Sequence, residues 1–330
     1  MTRKKIFLFG ATGSTGIYLT DYILNHIDQE KYELIAVGRR QTSYFERYQI
    51  KYYSIDITNN DELDQLPVSD AYAVIILSGI LPARMKGYAP QKYVDVNIKG
   101  VLNIMEHFKN VGLDRVLYMI SISDLHGYLP DDKEFLPDMR PKFQYGTDHT
   151  IYAITKTAAC EIIKTYYFEY GVKYYFFRLP NIYLYSPEKD YYVDGELRKI
   201  SYRYLIDRAM RGEDIELWGD PDKKREIVYV KDFCQIIFNA LFADCDPTYF
   251  NVGADLMVSM RDQIQGIIDV FSPDGKKSLI IPCPEKRSCD DSHMNIEKTR
   301  ELLGYEPRYD YMAYLKDYKK EMNSDRFSGL

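Results

Sequence analysis

The stretch Lys5-Ile6-Phe7-Leu8-Phe9-Gly10-Ala11-Thr12-Gly13-Ser14-Thr15-Gly16 runs from a short apolar segment straight into three glycines at regular spacing. Ile6 to Phe9 suits a strand buried on both faces, and Ile17, Tyr18, Ile23 and Leu24 suit an amphipathic helix after the turn. The glycines therefore stand at a strand-to-helix junction. There they permit a tight turn, close approach of a pyrophosphate to the backbone, and exposure of unpaired N–H groups at a positive helix terminus. Gly10, Thr12, Gly13, Ser14, Thr15 and Gly16 are the candidate phosphate contacts. A glycine-rich loop without a ligand is the plainer reading of three glycines alone, so their context has to decide.

At 330 residues the chain can bury a large core, enough for one large domain and a smaller one. A composition of 46% hydrophobic and 28% charged residues is that of a soluble globular protein, and no apolar run approaches the length that spans a bilayer. The basic start resembles the opening of an export signal, but the apolar run after it is only four residues long, so a cytoplasmic protein without membrane partners is expected. Cys160, Cys234, Cys245, Cys283 and Cys289 have no paired metal spacing and are too few for a disulfide framework, which points to reduced thiols. His26, His107, His126, His149 and His293 are scattered, and no metal site is expected. A net charge of −6 argues against nucleic acid as the main partner, while a local basic patch can still meet a small anionic substrate. The 32 tyrosines read as spread over core and surface rather than as the lining of a sugar pocket.

Apolar segments at 6–9, 33–37, 50–55, 73–77, 115–122 and 173–179 alternate with helix-like stretches at 17–27, 91–111 and 151–170. That βαβ rhythm predicts an α/β fold with a parallel sheet and helices on both faces. Residues 39–50 leave room for only a brief turn or helix. From Pro180 the rhythm loosens into a tyrosine- and charge-rich loop reaching Lys199, followed by a helix from Tyr202 to Met210, and a second, smaller lobe begins here. Strands at 227–230 and 249–252 are read as returning to the main sheet. This assigns 1–180 and 226–252 to a dinucleotide-binding domain, and 181–225 and 253–330 to a substrate-binding lobe.

The second strand ends at Val37-Gly38-Arg39-Arg40, where an NAD-binding sheet usually offers an acid to the ribose 2′-hydroxyl. Guanidinium groups chelate phosphate in fork geometry, so Arg39 and Arg40 point to a 2′-phosphate and to NADP, with NAD as the alternative. A charge-assisted bond worth ~1.5–3 kcal/mol gives a preference of roughly ten- to a hundredfold. Solvated surface arginines are the plainer reading. Asp56-Ile57 follows the third strand, where a carboxylate can accept from the adenine amino group or cap a helix beginning near Thr58 or Asn60. Tyr152-Ala153-Ile154-Thr155-Lys156 sets a phenol and an ammonium on one helix face, and a nearby cation stabilises the phenolate of a group whose unperturbed pKa is about 10. Tyr88/Lys92 and Tyr185/Lys189 share the spacing, but only Tyr152 opens a long helix after a strand ending in Ser121-Ile122-Ser123. A serine there can donate to the substrate oxygen and help position Tyr152, or simply bond local backbone.

Taken together, these residues resemble an extended short-chain dehydrogenase/reductase of the NAD(P)-dependent epimerase/dehydratase branch, whose members act largely on nucleotide sugars. The likeness spans nearly the whole chain. It is carried by Gly10-x-x-Gly13-x-x-Gly16, Asp56-Ile57, Asn97 in Val96-Asn97-Ile98-Lys99-Gly100, Tyr152-x-x-x-Lys156 and Arg178-Leu179-Pro180-Asn181. Trp218-Gly219-Asp220, the run from Arg225 to Asp232, and Phe250-Asn251-Val252-Gly253 extend it. The resemblance implies a Rossmann-type doubly wound sheet, Tyr152 as acid/base, Lys156 on the nicotinamide ribose, and a serine completing the triad. It implies Leu77, Ser78 and Pro180 beside the cofactor, Asn97 in the support around the catalytic helix, and Asn181 and Arg225 on the substrate diphosphate. It also implies pairing into a homodimer.

Ser121-Ile122-Ser123-Asp124-Leu125-His126-Gly127 is one residue longer than the family pattern. Counting forward from Arg115 gives Ser121 as the catalytic hydroxyl, with Ser123 as the alternative or as a substrate contact. Of the Asp-Glu pair that sugar dehydratases carry after this hydroxyl, only Asp124 is available as an acid, which argues against a complete dehydratase. Asn295 stands where many relatives have Asp, before Leu303-Gly304-Tyr305-Glu306-Pro307. The expected activity is nucleotide-sugar epimerisation through a keto-sugar intermediate. The alternatives are an NADPH-dependent keto-sugar or carbonyl reductase, a dehydratase, or a non-catalytic dinucleotide-sensing protein on the same fold.

Overall fold

The computed structural model describes residues 2–193, 195–288 and 291–330, so Cys289 lies outside the described residues. Strand β1 (Lys4–Phe9) carries four consecutive apolar residues, Ile6 to Phe9, all fully buried, as a strand covered on both faces requires. Helix α1 (Ser14–His26), strands β2 (Tyr32–Gly38), β3 (Lys51–Ser54) and β4 (Ala71–Ile76), helix α2 (Gly100–Phe108), strand β5 (Arg115–Ser121), helix α3 (Thr150–Tyr170) and strand β6 (Lys173–Leu179) follow. Helices α4 (Ser201–Met210) and α5 (Val230–Ala240) then precede β7 (Thr248–Asn251). The seven strands form one parallel sheet in the order β3-β2-β1-β4-β5-β6-β7. The winding reverses between β1 and β4, and in such sheets ligands sit at the carboxyl ends flanking that switch.

Alternation along the strands divides the core into two layers. Ile6 and Leu8 of β1 face a layer with Ile17, Leu19 and Ile23 of α1 and Phe233, Ile236 and Ile237 of α5. Phe7 and Phe9 face the other, with Val101, Ile104 and Phe108 of α2 and Ala159, Cys160 and Ile163 of α3. Outside the main sheet, α4, α6 (Met260–Phe271) and α7 (Tyr311–Glu321) pack together, with short ladders pairing Ile215–Trp218 with Ile280–Cys283 and Lys224–Glu226 with Met257–Ser259. Tyr183, Tyr202, Tyr314 and Tyr318 meet ring to ring there, while Tyr145 and Tyr88 are exposed, so the tyrosines are indeed shared between core and surface. Among the described residues no helix is long and apolar enough to cross a membrane, and no three His, Cys, Asp or Glu side chains are grouped to hold a metal ion.

Some elements depart from the sequence reading. Val228–Tyr229 pairs with Ile182–Tyr183 instead of joining the main sheet, because the chain re-enters beside its own exit point and the two bridging segments meet there. The stretch expected to be one helix over 91–111 is a single turn at Pro90–Tyr93, a π-helical segment at Val94–Lys99, and then α2. Residues 39–50 hold one short turn of helix, Tyr44–Tyr48, as expected, whereas the charged loop before Lys199 forms an antiparallel pair, Asp190–Val193 with Glu196–Lys199.

Candidate active site

At the glycine turn, Gly10 takes φ +87° and its N–H donates to the Val37 carbonyl at 2.8 Å. A Cβ on Gly10 would come within 2.8 Å of the Ser78 nitrogen, and one on Gly16 within 2.8 Å of the Ala11 carbonyl oxygen, so the turn closes only without side chains there. Gly13 supplies no side-chain cap to α1, and its first turn holds no acidic residue, which leaves the positive helix end uncompensated and suited to an anion. Leu77 and Ser78 are held against this turn by N–H bonds to the Phe9 carbonyl of 2.9 and 3.1 Å. Ser14 Oγ donates to Ser186 Oγ at 3.1 Å and the Tyr18 hydroxyl to the Tyr185 carbonyl at 3.2 Å, tying α1 to the segment that follows β6.

Arg39 and Arg40 are exposed at the end of β2, and their carbonyls accept from Ser54 Oγ and the Tyr52 hydroxyl. Asp56 Oδ1 accepts from the Thr58 N–H at 2.9 Å and hydroxyl at 2.8 Å, whereas the helix at Asn60–Leu63 is capped by Asn59. Ile57 is buried against Gly100, where a Cβ would lie 2.7 Å from its side chain, and its carbonyl accepts from Asn103 Nδ2 at 2.9 Å. In this structure Ile57 seats α2.

Helix α3 buries Tyr152 and Lys156 on the face turned to β5. Burial pushes the Tyr152 phenol above its ordinary range, while a side-chain hydrogen bond with Ser121 acts in the opposite direction. The Lys156 ammonium is pushed down to about 7 by burial and lies 4.0 Å over the Tyr118 ring. The lowering of the phenol expected from Lys156 is not found here: desolvation dominates both groups, and the ammonium is not among the groups that shift the phenol. Ser121 donates to Ser123 Oγ at 3.1 Å and accepts from the Ser123 N–H at 3.2 Å. Of the two candidate serines, Ser121 is the one whose side chain acts to lower the proton affinity of the Tyr152 phenol.

Asp124 goes elsewhere. Its carboxylate accepts from Arg178 Nε at 3.0 Å and Nη2 at 3.0 Å, with both side chains almost fully buried, and it does not line the cavity described below. The alternative of Asp124 as an acid is corrected accordingly: it is the buried counter-ion of Arg178. Asn97, in the π-helical segment, is fully buried; its Oδ1 accepts from the Ile80 N–H at 2.9 Å and its Nδ2 donates to the Ile80 carbonyl and Thr155 Oγ1, both at 3.3 Å. A Cβ on Gly79 would lie 3.2 Å from Asn97 Oδ1 and 3.5 Å from Lys156 Nζ, so this glycine keeps the space before the ammonium open.

A cavity of about 770 Å³ joins these parts. Thr15, Leu77, Ser121, Ser123, Tyr152, Lys156, Pro180, Asn181 and Arg225 all line it, whereas Gly10, Thr12, Gly13, Ser14, Gly16, Arg39, Arg40, Asp56, Ile57, Ser78 and Asn97 do not. Sequence reasoning missed Gly79, Gln144, His149 and Arg287 on its walls. Of these, His149 carried a legible signal, standing one helical turn before Tyr152. Glu226 also reaches the wall, but its oxygens accept from the Ala254 N–H at 3.0 Å and the Met294 N–H at 2.9 Å, and burial pushes its carboxyl up to about 7. A dinucleotide fits these residues: a side-chain-free turn and uncapped helix end suit a pyrophosphate, and the gap that Gly79 leaves before Lys156 suits a ribose.

Residues 6–253 match the model of the NAD dependent epimerase/dehydratase family. The chain belongs to that family. It is similar to the UDP-glucuronate 4-epimerase of Thermodesulfobacterium geofontis, with 25% identity over 271 residues, 81% of this chain and 77% of the relative. The fold is shared with UDP-glucose 4-epimerase from Thermotoga maritima, solved with UDP-glucose, at a TM-score of 0.76 and 20% identity over 97% of this chain and 100% of that one. It is shared also with UDP-glucuronic acid 4-epimerase from Bacillus cereus, solved with UDP-glucuronic acid and NAD, at a TM-score of 0.72 and 19% identity over 96% of this chain and 99% of that one.

Proposed function

We propose that this family member is a nucleotide-sugar epimerase. The observation that carries the reading is the single cavity that brings Ser121, Tyr152 and Lys156 from the sheet side against Asn181 and Arg225 from the other lobe. Tyr152 takes and returns the proton of the sugar hydroxyl, Ser121 donates to the same oxygen and orients the phenol, and Lys156 holds the cofactor ribose. A bound dinucleotide supplies a hydride acceptor that returns the hydride, and its oxidised ring supplies a positive charge that favours the phenolate. Asn181 and Arg225 bind the diphosphate, with Arg225 offsetting the repulsion expected of a chain of net charge −6. The glycine turn, with Leu77, Ser78 and Pro180, holds the dinucleotide, and Asn97 supports the catalytic helix. Residues 1–180 and 226–252 form the dinucleotide unit, and 181–225 and 253–330 the substrate lobe.

Similarity to proteins solved with UDP-sugars supports a UDP-sugar substrate. The exposed Arg39 and Arg40 favour NADP, whereas the similar Bacillus cereus protein was solved with NAD. Direct competition of NAD with NADP, repeated on Arg39→Ala/Arg40→Ala, decides between them: loss of NADP affinity alone supports the arginine reading. Exposed Leu102 on α2 and Phe168 on α3 favour a homodimer, checked by light scattering, and the unpaired thiols favour the cytoplasm, checked by fractionation.

The deciding experiment incubates the purified protein with UDP-glucose, UDP-glucuronate or UDP-N-acetylglucosamine and follows the sugar carbons by NMR. Epimer formation without net dinucleotide turnover is expected, falling at least about a hundredfold in Tyr152→Phe. Stoichiometric NADPH consumption with a keto-sugar overturns it in favour of a reductase, the reading that Arg39 and Arg40 favour. Burial of Asp124 against Arg178 counts against a dehydratase.

A further inference from the structure

We propose that His149, oriented by Asp148, is a specificity residue that accepts a hydrogen bond from a sugar hydroxyl adjacent to the group on which Tyr152 acts. This rests on the nucleotide-sugar reading. His149 is the residue from which α3 springs, and its carbonyl accepts the first helical bond, from the Ala153 N–H at 2.9 Å, so its backbone is fixed. It precedes Tyr152 by three residues and therefore shares its face of the helix. The two rings meet edge to face, with centroids 6.3 Å apart and planes at 83°, and both line the cavity. Tyr93 supports Tyr152 from another side at 6.1 Å, and along α3 the imidazole is the polar neighbour one turn before the phenol, as Lys156 is one turn after it.

The imidazole is held in one orientation. His149 Nδ1 is 2.6 Å from Asp148 Oδ1, and because a carboxylate accepts, Nδ1 carries the proton and donates it to this bond. In the neutral ring this tautomer turns Nε2 into an acceptor, and Nε2 is then the nitrogen available to a ligand. A sugar ring that brings one hydroxyl to Tyr152 carries its neighbouring hydroxyls past the imidazole edge. A site that pairs with a substrate hydroxyl discriminates against analogues lacking it, because the protein group is otherwise left without its bond. The His149 side chain is half exposed, so the discrimination is moderate.

The test measures calorimetric binding of UDP, UDP-glucose, UDP-glucuronate and UDP-N-acetylglucosamine to the dinucleotide-loaded protein, and then to the His149→Ala, His149→Gln and Asp148→Asn variants. In His149→Ala the tightest-binding sugar nucleotide is expected to weaken about tenfold while UDP stays unchanged, which also shows that the variant is folded. His149→Gln, which restores an acceptor, recovers part of the loss, and Asp148→Asn shows a smaller loss. In turnover, KM rises and kcat changes less than threefold. Equal losses for UDP and the sugar nucleotide, or no loss for either, overturn the assignment of His149. If the wild-type protein binds no sugar nucleotide more tightly than UDP, the nucleotide-sugar reading falls first, and the proposal falls with it.

Discussion

The Arg178 guanidinium is buried with the Asp124 carboxylate and also donates to the Pro137 carbonyl at 2.9 Å, so almost none of its bonding capacity faces water. Removing one partner of such a pair leaves an uncompensated buried charge. Arg178→Ala is therefore expected to lower unfolding stability by about 3–5 kcal/mol in a urea titration, and a loss below about 1 kcal/mol would show that the pair is not holding the fold. Glu226 gives a pH signature. Burial holds its carboxyl at about 7 in the folded chain, above the ordinary value near 4.3, so the folded state binds this proton more tightly than the unfolded one. Its contribution is present in full below the unfolded value and is lost as pH rises to about 7, up to about 3 kcal/mol across that window. Asp232, pushed up to about 6 by burial, adds in the same direction. Urea midpoints between pH 4.5 and 7.5 are expected to show this decline in the wild type and less of it in Glu226→Gln, and identical profiles would discard the assignment. Tyr152, Lys156 and Ser121 were legible because their chemistry follows from residue type and spacing. Their proton affinities were not, since the burial that sets them is tertiary, with Tyr93 packed on the Tyr152 ring and Tyr118 beneath the Lys156 ammonium, both far away in the chain.

At the scale of elements, the π-helical segment Val94–Lys99 turns Asn97 inward to bridge the Ile80 backbone to Thr155 on α3. A regular helix over the same residues would alter that facing, and π segments recur where a side chain must be re-aimed. Asn97→Ala leaves the Ile80 N–H without its buried partner, at a cost of about 1–3 kcal/mol in thermal or chemical unfolding. It also loosens the wall beside Lys156, so dinucleotide affinity is expected to drop with stability, and unchanged affinity would confine Asn97 to a packing role. The sheet strands were readable from their unbroken apolar runs, and α3 from its length. The two-residue ladder of Val228–Tyr229 with Ile182–Tyr183 was not, because so short a pairing is set by tertiary packing rather than by its own sequence. The π segment was equally hidden, since its apolar positions fit an ordinary helix.

For the whole molecule, the sheet is closed by a strand distant in sequence: β7 begins at Thr248, whereas its neighbour β6 ends at Leu179. Helix α5, whose Phe233, Ile236 and Ile237 cover the layer beneath α1, lies in the same late portion. Arg287 reaches the cavity from still farther along, with no local pattern to announce it, which is why the far wall of the site was the least legible part of the chain. A fragment of residues 1–180 retains β1 to β6 but not α5 or β7, so a larger share of it than of 1–330 is expected to collect in the insoluble fraction. A soluble, dinucleotide-binding fragment would show that the first six strands suffice. On the ribosome this arrangement sets an order. The glycine turn emerges early, yet the apolar layer behind it stays uncovered until α5 has been synthesised, and during that interval the nascent chain is prone to aggregation.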